Sequence, residues 1–181
     1  NGVNYFDGTK ITSGAGFSCG LAHDGAAYCW GSGARGQLGD ASSEDRASPG
    51  MVAPSVAFTK LFAGWSHICA LTASGKAYCW GANDSGQLGD GTSSDRAVPT
   101  PVHTNIRFTS LSAGSAHTCG TTNASVVYCW GDNRYGQLGD GTQSSHSIPV
   151  AVSTDAKFVA VSVGSVHTCA VTASHEAWCW G

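Results

Sequence analysis

Charged residues are scarce in this chain, and basic residues are not in excess. Only 12% of its 181 residues are Asp, Glu, Lys or Arg, whereas about 25% is usual in globular domains. The 9 basic and 12 acidic residues give a formal net charge of −3. Because nucleic acids and anionic membrane surfaces attract clusters of Lys and Arg, this composition predicts no nucleic-acid partner.

Long apolar runs and familiar catalytic motifs are also missing. No segment approaches the roughly 20 apolar residues that a membrane-spanning helix needs, which predicts no membrane insertion. The chain has no G-x-S-x-G, P-loop or Rossmann glycine motif, and no Ser-His-Asp or Cys-His set can be assembled from it. We therefore predict that the protein is not an enzyme and needs no cofactor.

The C-x-x-C spacing of zinc and thioredoxin motifs is absent, although the chain has 8 cysteines. They form four pairs whose partners are 10 positions apart, and each pair lies 50 positions from the next: Cys19 and Cys29, Cys69 and Cys79, Cys119 and Cys129, Cys169 and Cys179. Buried free thiols are one interpretation of this pattern. Four repeated disulfides are the interpretation we favour, and they would place the protein outside the cytosol.

The cysteine pairs mark an internal repeat, which at this period predicts a solenoid, a propeller or an array. We place the copies at residues 9–58, 59–108, 109–158 and 159–181, of which the last is incomplete. In the second copy, residues 59–64, 66–72 and 76–80 predict three short strands, and Ala73–Gly75 predicts a hairpin turn. A hairpin centred on Ser74 puts Cys69 opposite Cys79, within disulfide reach.

Each complete copy continues with a long loop and a further strand. The loop carries Gly-Gln-Leu-Gly-Asp, whose leucine is predicted to anchor it in the core at Leu38, Leu88 and Leu138. Pro99 then opens an outer strand through Val102, because proline is tolerated at a strand start or a sheet edge. Four strands in each copy predict a four-stranded antiparallel blade.

The pattern G-x-x-H-x-C-A-L-T…G-x-x-Y-C-W-G-x-N-x-x-G-Q-L-G-D-G…P-x-x-V resembles the regulator of chromosome condensation repeat over nearly all of residues 9–181. The resemblance implies an all-β fold, a β-propeller of four-stranded antiparallel blades. About four blades are present, whereas the family commonly has seven. The paired cysteines are typical of its secreted, surface or bacterial-type members.

The order of the strands leaves the closure of the ring open. Residues 1–8 provide an outer strand, and the fourth copy stops before its own. A four-bladed ring could close through this N-terminal strand, or the chain could be a fragment of a seven-bladed propeller. Alternatively, copies could assemble head to tail by donating that strand to a neighbour. We favour the last two arrangements over a closed ring of four blades.

Several aromatic, imidazole and carboxylate side chains recur at fixed positions. Trp30, Trp80, Trp130 and Trp180 are predicted to pack between blades, and a ring of ligand-stacking aromatics is the alternative. His67, His117 and His167 are predicted to make structural hydrogen bonds rather than bind a metal. Asp40, Asp90 and Asp140 are predicted to cap turns, because the acidic ladder of a calcium loop is missing. No metal site is therefore predicted.

Two sequons and a set of variable residues are the remaining candidates. Asn83 and Asn123 lie in sequons and are predicted to be exposed glycosylation sites. Trp65 is not required by the repeat, since Ala15, Ser115 and Ser165 replace it, and it marks a candidate contact surface. The variable loop tips add the remaining candidate binding residues: Arg35, Asn83, Asp84, Asn133, Arg134 and Tyr135.

A constant scaffold with variable loop tips is typical of repeat proteins that bind partners. We predict an extracellular or cell-surface scaffold that presents its loops to a protein, a glycan or copies of itself, as a homo-oligomer or filament. The resemblance also implies two alternatives. One is a guanine-nucleotide exchange regulator of a small GTPase, and the other is a secreted protein inhibitor.

Overall fold

The computed structural model describes residues 6–52 and 56–181 and contains only β-strands as regular structure in those ranges. No helix in these residues is long and apolar enough to cross a membrane. The strands are β1 (Phe6–Ser13), β2 (Phe17–Ala22), β3 (Ala27–Gly31), β4 (Arg46–Met51), β5 (Lys60–Ala63), β6 (His67–Leu71), β7 (Ala77–Gly81), β8 (Arg96–Pro101), β9 (Phe108–Ala113), β10 (His117–Thr122), β11 (Val127–Gly131), β12 (His146–Ala151), β13 (Phe158–Val163), β14 (Thr168–Thr172) and β15 (Ala177–Trp180).

The strands form four antiparallel sheets, each built from consecutive strands of the chain. Sheets β1–β4, β5–β8 and β9–β12 have four strands, and β13–β15 form a three-stranded sheet. We call these sheets blades 1 to 4. The predicted all-β propeller with about four blades is confirmed.

The hairpin register explains the cysteine spacing. In every blade the first cysteine pairs directly with the second across the central hairpin, as in Cys69↔Cys79. Their Cα atoms lie 4.0–4.1 Å apart, and each pair forms a disulfide. The chain has no free cysteine. Each disulfide forms within one hairpin because two residues directly opposite each other on antiparallel strands have their side chains close together on the same face of the sheet.

The outer strand of each complete blade begins earlier than the sequence predicts. Strand β8 starts at Arg96, so Pro99 lies inside the strand and does not open it. The register shifts between the pairs Cys79↔Thr100 and Gly81↔Arg96. Proline fits because β8 is the edge of its sheet and needs no hydrogen bond on its outer side.

The cores lie between blades, not within them. One cluster joins Phe17, Cys19 and Leu21 of blade 1 to Ile68 and Trp80 of blade 2. The equivalent clusters join blades 2 and 3 and blades 3 and 4. We call the side of a blade turned toward the next blade its leading face, and the opposite side its trailing face.

The described part of the N-terminal segment does not form an outer strand. Phe6–Gly8 belong to β1, which pairs with β2 as the first strand of blade 1, and Phe6 lies opposite Ala22. The prediction of a closing strand at residues 1–8 is therefore wrong for these three residues. Residues 1–5 lie outside the described residues.

Candidate interaction surface

The strand directions sort the connections onto two sides of the propeller. One side carries the short loops before β2, β6, β10 and β14 together with the long loops after β3, β7 and β11. Hydrogen bonds join the two kinds of loop there: Ala82 N donates to Ser66 O at 2.9 Å, and Asp132 N donates to Ala116 O at 2.8 Å. We call this side the loop face. The hairpin turns between β2 and β3 and their equivalents lie on the opposite side, the turn face.

Among the large hydrophobic residues that the structure describes, Trp65 is the most exposed, with 65% of its surface accessible, and it lies on the loop face. Its backbone is held by both neighbouring blades: Trp65 N donates to Gly114 O, and Ala15 N donates to Trp65 O, each at 2.9 Å. Around it lies a shallow cavity of about 470 Å³, lined mainly by glycine, alanine and serine of all four blades. A fixed backbone under an exposed indole suits contact with a partner.

The tryptophans that recur in the repeat have the opposite environment. Trp80 and Trp130 are fully buried, and Trp180 is half-buried. Each indole donates to a glutamine carbonyl of the preceding blade: Trp80 to Gln37 at 3.1 Å, Trp130 to Gln87 at 2.9 Å and Trp180 to Gln137 at 3.0 Å. These side chains hold adjacent blades together and form no ligand-stacking ring.

Asn83 and Asn133 organise the long loops from inside and are not at their tips. Both side chains are fully buried. The Asn83 amide donates to Thr92 O at 3.1 Å and Ser94 O at 3.0 Å, while its carbonyl oxygen accepts from Leu88 N at 3.0 Å. Asn133 repeats these contacts.

The prediction that Asn83 is exposed and glycosylated is therefore wrong, because the amide that would carry the glycan is buried and hydrogen-bonded. The predicted binding roles of Asn83 and Asn133 are wrong for the same reason. Sequence reasoning missed their structural role, although the sequence contains a signal for it. Both asparagines lie three residues before the Gly-Gln-Leu-Gly motif, at the position that Gly33 occupies in the first repeat.

Arg35 and Asp84 lie at loop tips and contact each other across blades 1 and 2. The Arg35 guanidinium binds the carboxylates of both Asp84 and Asp95. Hydrogen bonding to Arg35 holds the pKa of Asp95 below its usual value. All three groups remain partly exposed, so this ion-pair network contributes little to stability.

Arg134 and Tyr135 form the tip of the third long loop. Arg134 binds the carboxylate of Asp132 within its own loop and remains 74% exposed at its side chain. Burial alone would raise the pKa of Asp132, but the hydrogen bonds and charge of Arg134, together with a hydrogen bond from Gln137, lower it below its usual value. Tyr135 is 59% exposed, which makes it the second large exposed aromatic residue on the loop face.

The recurring histidines join blades through buried hydroxyls. His67 Nε2 lies 2.9 Å from Thr118 Oγ1, and His117 Nε2 lies 3.0 Å from Thr168 Oγ1. Burial lowers the pKa of His67 to about 3 and that of His117 to about 4. His167 is exposed. Among the described residues, no three His, Cys, Asp or Glu side chains are grouped to hold a metal ion.

The repeated aspartates cap turns in the long loops. Asp90 accepts from Thr92 N at 2.9 Å and from Arg96 Nε at 2.7 Å. Asp140 accepts from Thr142 N and from His146 Nε2, both at 2.9 Å, and Asp40 accepts from Ser42 N at 3.1 Å. Their oxygens accept from donors in their own loops or, for Arg96 and His146, at the start of the strand that follows.

Asn123 lies on the turn face, in the hairpin turn between β10 and β11, and its side chain is exposed. A glycan there would lie on the opposite side of the propeller from Trp65 and Tyr135. The two surfaces could therefore be occupied independently.

A family model described as "Regulator of chromosome condensation (RCC1) repeat" matches residues 24–71, 74–120 and 126–171. A second model with the same description matches residues 9–37, 58–87 and 108–137. Comparison with curated protein sequences gives no match.

Three solved structures illustrate the likeness in fold. Human WBSCR16 superposes with a TM-score of 0.85 at 23% identity, over 95% of this chain and 47% of that one. Yeast RCC1 (Prp20), solved with Kap60 bound, gives 0.81 at 23% identity, over 95% and 43%. The ectodomain of the Physcomitrella patens receptor kinase CR4 gives 0.62 at 25% identity, over 94% and 40%.

The chain thus spans less than half the length of each of these structures. The family matches, in contrast, extend over most of the chain and follow its blades. They agree with the repeat period, the register of the hairpins and the packing between blades. The chain belongs to the regulator of chromosome condensation (RCC1) repeat family.

Proposed function

We propose that this protein is an extracellular, non-enzymatic scaffold that binds a protein or glycan partner through its loop face. The observation that carries the proposal is the exposure of Trp65 and Tyr135 on one side of the propeller, where the recurring Trp80 and Trp130 are fully buried between blades. Exposed aromatic residues on a rigid framework are typical of binding hot spots, because they bury a large area at small conformational cost. We also propose that the repeat units of this scaffold are residues 9–58, 59–108, 109–158 and 159–181.

Two observations support an extracellular or cell-surface location. All cysteines are paired, and disulfides persist in oxidising compartments. The CR4 structure, at 25% identity, is the ectodomain of a receptor kinase. A secreted protein inhibitor would be a special case of such a scaffold, since it also acts by occupying a partner surface.

The binding role is tested by measuring the affinity of Trp65→Ala for partners found by screening the wild-type chain against secreted proteins and glycans. We expect Trp65→Ala to weaken binding by about 30-fold, as for a hot-spot residue. Trp178→Ala is the matched control, because Trp178 is also exposed, at 45%, but lies near the turn face. An equal loss in both variants, or none in Trp65→Ala, would contradict the proposal.

The compartment is tested by intact mass measurement after alkylating the unfolded native protein without reduction. No added label is expected, and a glycan would add mass that Asn123→Gln removes. Asn83→Gln does not test glycosylation, because it also removes the hydrogen bonds that order its loop. Eight labels on native material would place the protein in a reducing compartment and remove the extracellular proposal.

A second candidate is a guanine-nucleotide exchange regulator, favoured by the likeness to yeast RCC1 (Prp20). One solved structure of Prp20p is described together with its binding to Gsp1p and histones. The test is release of a fluorescent guanine nucleotide from a small GTPase. Our proposal expects no acceleration, and a clear acceleration that Trp65→Ala abolishes would assign the loop face to exchange.

A further inference from the structure

The cations of the long loops are neutralised within the chain. Arg46, Arg96 and Arg134 each bind an aspartate of the long loop in their own repeat. Arg35 binds two aspartates of the next long loop. The arginines near the loop face therefore serve to order the loops, and little of their charge is left for a ligand.

Three further cations, Lys60, Lys76 and Arg107, lie on the turn face where blades 2 and 3 meet. Lys60 and Arg107 line a cavity of about 360 Å³, and Lys76 and Arg107 line a neighbouring one of about 570 Å³. We call these two cavities the basic groove. Neither cavity is lined by Asp or Glu, and among the described residues no carboxylate pairs with the three cations.

The repeat does not require this cluster of charge. The equivalent positions hold one cation where blades 1 and 2 meet and one where blades 3 and 4 meet: Lys10, Ala26 and Ala57 in the first case, and Ser110, Val126 and Lys157 in the second. The first also has Asp24 in the hairpin turn where blade 2 has Ser74. Since blades pack with one cation at this place, the three between blades 2 and 3 indicate a use beyond folding.

The three cations keep their charge and most of their hydrogen-bond donors. Lys60 Nζ donates to the backbone carbonyl of Thr109 at 2.8 Å, which uses one of its three N–H groups. Arg107 Nη1 donates to two backbone carbonyls of its own loop, and a guanidinium has five N–H groups. Lys76 Nζ lies 5.1 Å from the centre of the Tyr78 ring. None of these contacts neutralises a positive charge, so each cation can bind an anion.

The remaining surface of the first cavity favours a saccharide over a peptide or a nucleic acid. Thr72, Ser74 and Asn123 line it with hydroxyl and amide groups, whereas its large apolar residues, Leu71 and Phe108, are each 2% exposed. Peptides bind mainly to free sheet edges or apolar grooves, and the bases of single-stranded nucleic acids stack on exposed aromatic rings. The cavity provides neither feature, but its hydroxyl and amide groups suit the hydroxyls of a sugar.

We propose that the basic groove binds a saccharide chain that carries carboxylate or sulfate groups. Charge-assisted hydrogen bonds from Lys60, Lys76 and Arg107 would hold those groups. A chain with repeated charges fits better than a single small anion, because Arg107 lines both cavities and the other two cations lie in different ones. The groove is on the turn face, so this site is separate from Trp65 and does not depend on the proposed loop-face partner.

The test is isothermal titration calorimetry of the wild-type chain with short oligosaccharides. A heparin tetrasaccharide supplies sulfate and carboxylate groups, tetragalacturonate supplies carboxylates alone, and chitotetraose is the neutral control. We expect micromolar binding of an acidic saccharide and no binding of chitotetraose. Binding of both acidic saccharides would show that carboxylates suffice, and binding of heparin alone would show that sulfate is required.

Variants of the three cations locate the site. Lys60→Gln, Lys76→Gln and Arg107→Gln should each weaken binding by about 5-fold, as for partly exposed charge pairs. The triple variant should weaken it by about 100-fold, since losses at separate sites add. Lys157→Gln is the matched control, because Lys157 occupies the position of Arg107 in the next blade and its loss changes the net charge equally. It should bind like the wild type.

A glycan on Asn123 would occupy the groove, because Asn123 lines the first cavity. Every protein is therefore also measured with Ser125→Ala, which removes the sequon and keeps the asparagine side chain. Urea unfolding checks that the variants fold. The triple variant should still bind any partner that requires Trp65, which separates this site from the proposed function.

Three outcomes would overturn the proposal. The first is that neither acidic saccharide binds, with or without the sequon. The second is that Lys157→Gln weakens binding as much as Arg107→Gln does. The third is that polyglutamate or single-stranded DNA binds as tightly as the acidic saccharides, because the groove would then select charge alone.

Discussion

The contact between blades 1 and 2 differs from the contacts that follow, although all three occupy the same place in the repeat. Phe17 and Ile68 need no hydrogen bond, so water, pH and the state of neighbouring groups matter little to them. His67 with Thr118 and His117 with Thr168 bury polar groups that must remain paired and neutral. The comparison teaches that a repeat can keep its geometry while it changes how the geometry is stabilised.

The largest expected effect is a loss of stability in acid, caused by the two His–Thr contacts and not by the Phe17–Ile68 contact. The pKa of His67 is about 3 and that of His117 about 4, against about 6.5 in the unfolded chain. The unfolded state therefore binds more protons below pH 6.5, and stability falls as the pH drops toward 3–4. One pKa unit corresponds to about 1.4 kcal/mol, so the total loss is several kcal/mol.

Urea unfolding of the wild type at a series of pH values measures this loss. A variant in which both polar pairs are replaced by Phe and Ile, as in the first contact, should lose much less stability between pH 6.5 and 4. The depressed pKa values of Asp90, Asp95, Asp132 and Asp140 add their own loss only below about pH 4. An unchanged slope between pH 6.5 and 4 would show that the histidines are not its cause.

A smaller effect is expected when only one partner of a polar contact is removed. Thr118→Val keeps the side-chain volume but leaves the buried His67 without its hydrogen bond. It also removes the hydrogen bond that the Thr118 hydroxyl donates to the backbone carbonyl of Gln87. Such an unpaired group costs about 1–3 kcal/mol, measured as a shift of the urea midpoint at pH 7. His67→Phe with Thr118→Ile should recover most of that loss, and a double variant no better than Thr118→Val would contradict the apolar equivalence.

The exposed ion pairs at the first contact should contribute least. Arg35→Ala removes the bonds to Asp84 and Asp95, yet we expect a loss below about 1 kcal/mol because the groups are partly exposed. The loss should shrink further in about 1 M salt, which screens surface charges. A loss as large as that of Thr118→Val would mean that the ion pairs stabilise the first contact more than its apolar residues do.

The repeat period and the cysteine spacing were sufficient to predict the blade, its hairpin and the pairing across it. These features follow from local rules, since the partners in a hairpin lie about ten residues apart. Contacts between blades connect residues 51 positions apart, such as His67 and Thr118. The sequence predicted that the histidines are structural, but a period alone does not say which side of a strand meets which neighbour.

The candidate site was predicted less completely than the fold. Trp65 was recognised because the repeat does not require it, and it lies exposed on the loop face. Asn83 resembles an exposed loop residue in the sequence, because it is polar and lies in a glycine-rich loop, but it is buried and its hydrogen bonds hold that loop together. The three-dimensional path of the loop encloses the amide, and the sequence signals this only through the equal spacing of Asn83 and Asn133 from the Gly-Gln-Leu-Gly motif.

The two kinds of contact also restrict how such a chain can lengthen by tandem duplication. A second copy of residues 109–158 inserted after the first would bring His117 against a threonine equivalent to Thr118, and the new contact would be matched. A second copy of residues 59–108 inserted in the same way would bring His67 against an isoleucine equivalent to Ile68, and a buried imidazole would lose its hydroxyl. The identity of one residue on each side of a blade thus determines which of its neighbours can be copied beside it.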